Sequence, residues 1–176
     1  NTGLFINHFA VVDFSGFRDM VDALGGVPIC TKEAIDDPKA GLKLSAGTHV
    51  LDGEQALGYV RARKTLGDGS DLGRIKRQQA FLAAVVQEAT RPSLLLRPDK
   101  LFGFLNAATQ SLTTDSDFGL GTMKDLAGSV KNIGIKNVQF ITVPITEYEP
   151  DPNRVAWSKD AEALWQTLRD DEVVGE

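Results

Sequence analysis

A layered α/β fold is the expectation for this sequence, and three observations lead to it. A strand-like run, an amphipathic helix and a second strand-like run follow one another within about thirty residues, the size of a βαβ unit. Stretches with helical apolar spacing come next, and a β-branched run near residue 140 closes the series. The 176 residues, 42% hydrophobic and 24% charged, suit one domain with one packed core.

Leu4 to Phe14 is rich in β-branched and aromatic residues, and Phe9-Ala10-Val11-Val12 suits a buried strand. Phe17, Met20, Val21 and Leu24 then fall at i, i+3, i+4 and i+7 of a helix that Ser15 would cap and Gly25-Gly26 would stop. Val27 to Thr31 is a short strand. Asp36 to Gly47 carries the breakers Asp37-Pro38 and Gly41 and reads as a surface excursion leading to Gly47–Leu51. Asp52 and Gln55 form a capping box for a short helix with Ala56, Leu57 and Val60 turned inward.

Residues 64–70, with Gly67 and Gly69, read as a loop before a helix from about Asp71 to Ala89. On that helix Ile75, Leu82 and Val86 have core-facing spacing, while Arg74, Arg77, Gln78 and Phe81 share another side, polar first and aromatic later. Packing helices are expected over Asp99 to Leu112 and over the repeat Leu120, Met123, Ala127 and Val130. Val138 to Val143 reads as a strand ended by Pro144, residues 147–152 as a proline-rich loop, and Ala161, Leu164, Trp165 and Leu168 as the inner stripe of a helix capped by Ser158.

The basic residues are concentrated. Lys and Arg total 19 against 24 Asp and Glu, a net charge of −5, yet Arg61 to Arg77 holds six basic residues and two acidic ones. An acidic protein with one Arg-rich segment does not read as a coat for nucleic acid, which calls for a broad basic face. It reads as a site for a multiply charged anion, because Arg keeps its charge and offers a planar fork of donors to phosphate oxygens. A helix beginning near Asp71 adds its free amides. Asp71 is either an N-cap or an orienter of Arg61, Arg63 or Arg74.

Other chemistries lack their residues. Gly67-Asp68-Gly69-Ser70-Asp71-Leu72-Gly73 has neither dinucleotide-fingerprint nor P-loop spacing. His8 and His49 are the only histidines and form no zinc spacing, and no serine occupies a nucleophile elbow. His8 reads as a hydrogen-bonded structural residue. The single Cys30 allows no internal disulfide. No apolar run in the sequence approaches the length of a membrane span.

The segments Asn7 to Phe17, Val21-Asp22-Ala23-Leu24-Gly25-Gly26-Val27, Leu51 to Leu57 and Tyr59 to Gln79 resemble the LytR-CpsA-Psr family of bacterial cell-wall enzymes, with the strongest match from Ile6 to about Gln87. The resemblance implies an α/β sandwich around a mixed central sheet with an apolar tunnel for a lipid. It implies a phosphotransferase-type cell-wall glycopolymer ligase that moves a polymer, of the teichoic acid or arabinogalactan kind, from a polyprenyl diphosphate carrier to a peptidoglycan acceptor. The work would be done at the outer face of the cytoplasmic membrane of a Gram-positive-type bacterium. By position, the diphosphate-contacting motif falls on Arg61, Arg63, Asp71, Arg74 and Gln78, with Arg77 beside them. Those arginines would neutralise a diphosphate whose leaving-group charge grows as the sugar C1–O bond breaks.

Phe9, Phe14, Phe17 and Phe81 are the candidates for the lipid tunnel, with core packing as the alternative for each. Asp71 is the one candidate catalytic residue. The family uses a divalent metal, Mg²⁺ or Mn²⁺, and the resemblance puts its aspartate ligands, a further arginine and the membrane anchor upstream of Asn1. Residues 1–176 are therefore expected to be the C-terminal portion of a catalytic domain, partnered by its N-terminal part, with no metal site of their own. The alternative function is a non-catalytic binder of anionic glycopolymer or polyprenyl diphosphate lipid.

Overall fold

The structure is a computed structural model that describes residues 2–63, 71–119, 121, 122, 125 and 140–174. The chain divides into two compact units, Phe9–Val138 and the pair of segments Asn1–His8 and Gln139–Glu176.

The larger unit begins with β1 (Ala10–Val12), α1 (Phe14–Leu24) and β2 (Val27–Thr31). Helix α1 starts earlier than expected because Asp13, not Ser15, caps it, its carboxylate accepting the Gly16 amide at 2.8 Å. Gly25 ends the helix in the left-handed region (φ 86°), and the Gly25 and Gly26 amides return to the carbonyls of Asp22 and Val21.

Strands β1 and β2 do not form the parallel pair of a βαβ unit. β1 pairs antiparallel with β6 (Leu112–Thr114), and β2 pairs antiparallel with β5 (Gly47–Leu51), with Ile29 opposite His49. The physical reason is visible along β2. Val27, Ile29 and Thr31 are buried while Pro28 and Cys30 are exposed, the alternation of a strand with one covered face. β1 is not buried either, since Val11 and Val12 are both exposed on a strand with one described neighbour.

The expected surface excursion is a hairpin, β3 (Ile35–Asp37) and β4 (Leu42–Leu44), with Asp36 opposite Lys43. Ile35, Asp37, Leu42 and Leu44 point inward, a period-2 pattern that the Asp-Pro and Gly breakers obscure. Then α2 (Gly53–Arg61) opens on the expected capping box of Asp52 and Gln55. α3 (Asp71–Ala89), α4 (Pro92–Leu95) and α5 (Pro98–Ser111) follow.

Helix α3 packs against β2 and α2 with a different face from the one its aliphatic residues suggest. Arg77 and Phe81 are buried and Ala84 and Val85 half-buried, whereas Leu82 is 52% exposed. Phe81 lies in the core with Val21, Val27, Ile29, Leu51 and Tyr59, its ring 5.5 Å from Phe17 and 6.3 Å from Tyr59.

In the smaller unit the strand comes later than expected. Residues 140–144 are irregular, and β7 (Ile145–Glu147) pairs with β8 (Val155–Trp157) across the proline-rich turn. The Ser158 amide donates to Pro144 O at 3.0 Å, so Pro144 stands just outside the ladder. Helix α6 (Asp160–Arg169) buries Ala161 and Leu164 and brings Trp165 to 5.2 Å from Trp157. The expected helix carrying Leu120, Met123, Ala127 and Val130 lies largely outside the described residues.

Candidate anion-binding site

The site is assembled where α2 ends. Ala62 leaves the helix with ψ 134°, and the last carbonyls of any helix need donors from elsewhere. Helix α3 supplies them here: an Arg77 Nη2 proton goes to Ala62 O, and Gln78 Nε2 donates to Val60 O at 3.1 Å. On the opposite side the Arg63 amide donates to Asp37 Oδ2 at 2.8 Å. The other oxygen of Asp37 accepts the amides of Lys39 and Ala40 at 3.1 and 3.2 Å. The segment Arg61-Ala62-Arg63 is thus tied to α3 on one flank and to the β3–β4 turn on the other.

Arg61 and Arg63 line one cavity of about 200 Å³ with Asp37, Lys39 and Ala40. The Arg61 guanidinium carbon stands 5.3 Å from the centre of the exposed Phe14 ring, a cation–π contact that fixes the side chain while leaving its donors available. Neither Arg61 nor Lys39 makes an ion pair among the described residues. Chemically the pocket offers positive charge and forked N–H donors to an anion, with one carboxylate that is already engaged by three backbone amides.

Arg77 plays a different part from Arg61 and Arg63. It is buried, its Nε lacks a hydrogen-bond partner among the described residues, and burial pushes its guanidinium down from the ordinary value. Tyr59 opposes that shift, Arg74 adds to it and Asp37 opposes it. The same burial raises the Tyr59 phenol, against the pull of Arg77. Both residues face a second cavity, about 270 Å³, with Cys30, Thr31, Lys32, Glu33 and Ile35.

The basic segment is therefore sorted by the fold. Arg61 and Arg63 share the open cavity, Arg77 and Gln78 hold the backbone between and before them, and Arg74 is half-buried beside Arg77. The Asp71 side chain and residues 64–70 lie outside the described residues. Of the four phenylalanines, Phe9 and Phe14 are exposed, while Phe17 and Phe81 pack on each other at the core. Phe81 follows Arg77 by one turn on α3 and is buried in the core. His8 is exposed and precedes β1. Sequence reading missed Asp37 and Lys39, and the signal that could have found them is the Asp-Pro-Lys turn between two alternating apolar pairs.

No group of three or more carboxylate, imidazole or thiol side chains gathers for a cation among the described residues. Among them, too, no helix is long and apolar enough to cross a membrane.

The sequence model of the LytR-CpsA-Psr family matches residues 1–170. The chain belongs to that family. A probable cell wall biosynthesis protein, LcpB of Corynebacterium glutamicum, is 38% identical over 172 residues, covering 96% of this chain and 40% of the relative. The family member described here thus spans less than half of that curated relative. Among solved structures, a LytR-Csp2A-Psr enzyme from Actinomyces oris superposes with a TM-score of 0.77 at 26% identity, over 93% of this chain and 64% of the other. TagT bound to LIIa-WTA gives a TM-score of 0.62 at 24% identity over 97% and 63%, a likeness of fold.

Proposed function

We propose that this LytR-CpsA-Psr chain provides the diphosphate-binding part of a transferase that moves a glycopolymer from a polyprenyl diphosphate carrier to peptidoglycan. The observation that carries this reading is the shared cavity of Arg61 and Arg63, two forked cations on a backbone segment anchored from both sides. Such preorganised donors stabilise charge that develops on a leaving group without reorganising during the reaction. Family membership supports the ligand class, and TagT bound to LIIa-WTA shares the fold.

In the phosphotransferase form of the reaction, an acceptor hydroxyl attacks the phosphorus next to the sugar. The bridging P–O bond breaks, polyprenyl phosphate departs with the extra electron pair, and the hydroxyl proton is lost to a base for which Asp71 is the candidate. Attack at the sugar C1 would instead release polyprenyl diphosphate. The cationic cavity suits both, because negative charge grows on phosphate oxygens in each. Phe14, beneath Arg61, with the exposed Phe9, Val11 and Val12 near the start of this unit, offers apolar surface for the first prenyl units. A divalent ion, Mg²⁺ or Mn²⁺, would when bound add to the neutralisation of charge on the diphosphate. The place of action would be the outer face of the cytoplasmic membrane, where lipid carrier and wall polymer meet.

The test is product analysis with the full-length protein, a polyprenyl diphosphate-linked glycopolymer and peptidoglycan. Polymer attached to peptidoglycan with release of polyprenyl phosphate is the expected result. Release of polyprenyl diphosphate would place the cleavage at C1, and tight carrier binding without any transfer would favour the non-catalytic binder.

A further inference from the structure

We infer that the turn between β3 and β4 is a working wall of the anion site, with Lys39 as a third cation on the ligand and Asp37 as the positioning residue that sets Lys39 and Arg63 in register. The inference rests on the diphosphate reading of the Arg61–Arg63 cavity and adds to it residues that no basic motif contains.

The geometry is unusual for a surface turn. Asp37 is 3% exposed although it is a carboxylate, and it accepts from three amides, those of Lys39, Ala40 and Arg63, at 2.8 to 3.2 Å. Two of those bonds close the turn locally, and the third crosses 26 positions of sequence to reach the residue after α2. One buried side chain thus fixes the backbone of two of the cavity's three cations. Lys39 lines the cavity, is exposed, and has no ion-pair partner among the described residues.

The donors then indicate the ligand class. Among the described residues the cavity is lined by three basic side chains, Lys39, Arg61 and Arg63, with Asp37, and the oxygens of two linked phosphates can reach more of them at once than those of a single phosphate. The turn therefore acts in selectivity, favouring two linked phosphates over one, in addition to raw attraction.

The sign of one substitution separates positioning from simple charge. Asp37→Asn retains an oxygen for the Lys39 and Ala40 amides but presents an NH₂ to the Arg63 amide, so the long-range tie is lost while the cavity becomes more positive. If Asp37 only contributes charge, the variant binds anions more tightly; if it positions Arg63, the variant binds more weakly despite the added positive charge. Calorimetric titration of the chain with inorganic pyrophosphate and with orthophosphate, at two salt concentrations, reads this directly.

Wild type is expected to prefer pyrophosphate. Lys39→Ala should weaken pyrophosphate binding by about tenfold and flatten its salt dependence, as loss of one charge-assisted contact requires. Lys39→Arg should retain most of the affinity. Asp37→Asn should weaken pyrophosphate binding by about tenfold while narrowing its advantage over orthophosphate. Because Asp37 is buried, thermal melts accompany that variant; Lys39 lies on an exposed turn and decides the point even if Asp37→Asn unfolds. Unchanged affinity in Lys39→Ala with a loss in Arg61→Ala overturns this inference and leaves the diphosphate reading standing. Tighter binding by a folded Asp37→Asn overturns the positioning role. Unchanged affinity in both Arg61→Ala and Lys39→Ala sinks the two together.

Discussion

Arg77 shows how one residue type serves two purposes within a single cluster. Arg61 and Arg63 line an open cavity, whereas Arg77 is buried and uses one donor on Ala62 O. Sequence alone groups the three, because the basic pattern records charge and says nothing of which guanidinium meets a helix's unpaired carbonyls. Two substitutions test the division. Arg77→Ala loses the bond and leaves a void, and is expected to destabilise the chain by about 2 to 4 kcal/mol in urea titration. Arg77→Met fills the space and removes the cost of desolvating a cation, so its loss should be smaller by about 1 kcal/mol or more. Equal losses would mean that packing at this position does not matter.

At the level of elements, α3 was legible in extent and illegible in orientation. Its span, Asp71–Ala89, matches the periodic stretch read from the sequence. Of its polar-to-aromatic stripe, Arg77 and Phe81 point inward while Gln78 stays exposed, because the surface α3 meets begins with the open carbonyls of Val60 and Ala62 and continues into the rings of Phe17 and Tyr59. An apolar-moment argument assigns the core to Ile75, Leu82 and Val86, since it cannot see that the receiving surface is partly polar. Phe81→Ala should therefore cost about 3 to 5 kcal/mol, and Leu82→Ala within about 1 kcal/mol, by chemical denaturation. The reverse ranking would restore the original assignment of faces. The crossing of α1 and α5 offers a second test at this scale. A Cβ on Gly16 would lie 1.9 Å from Ser111 Cβ, so Gly16→Ala should cost at least about 1 to 3 kcal/mol through overpacking, read as a lowered melting temperature.

For the molecule as a whole, one cap and one helix stop were the readable part: the Asp52–Gln55 box and the Gly25 stop are where local chemistry decides geometry. Strand pairing was not, because β1 finds β6 a hundred positions away and β2 finds β5 across an intervening hairpin, choices made by packing rather than by adjacent residues. The site follows the same division. Its arginines were visible as a motif, while Asp37 and Lys39 reach them only through the folded β3–β4 turn. The central claim is that the cavity of Arg61 and Arg63 holds a lipid-linked diphosphate. A binding titration of a polyprenyl diphosphate against wild type and the Arg61→Ala, Arg63→Ala double variant tests it most directly. With about 1.5 to 3 kcal/mol for each charge-assisted bond, the double variant should bind at least about a hundredfold more weakly while melting at the wild-type temperature. Equal affinity in the two proteins would contradict the assignment of the cavity as the diphosphate site.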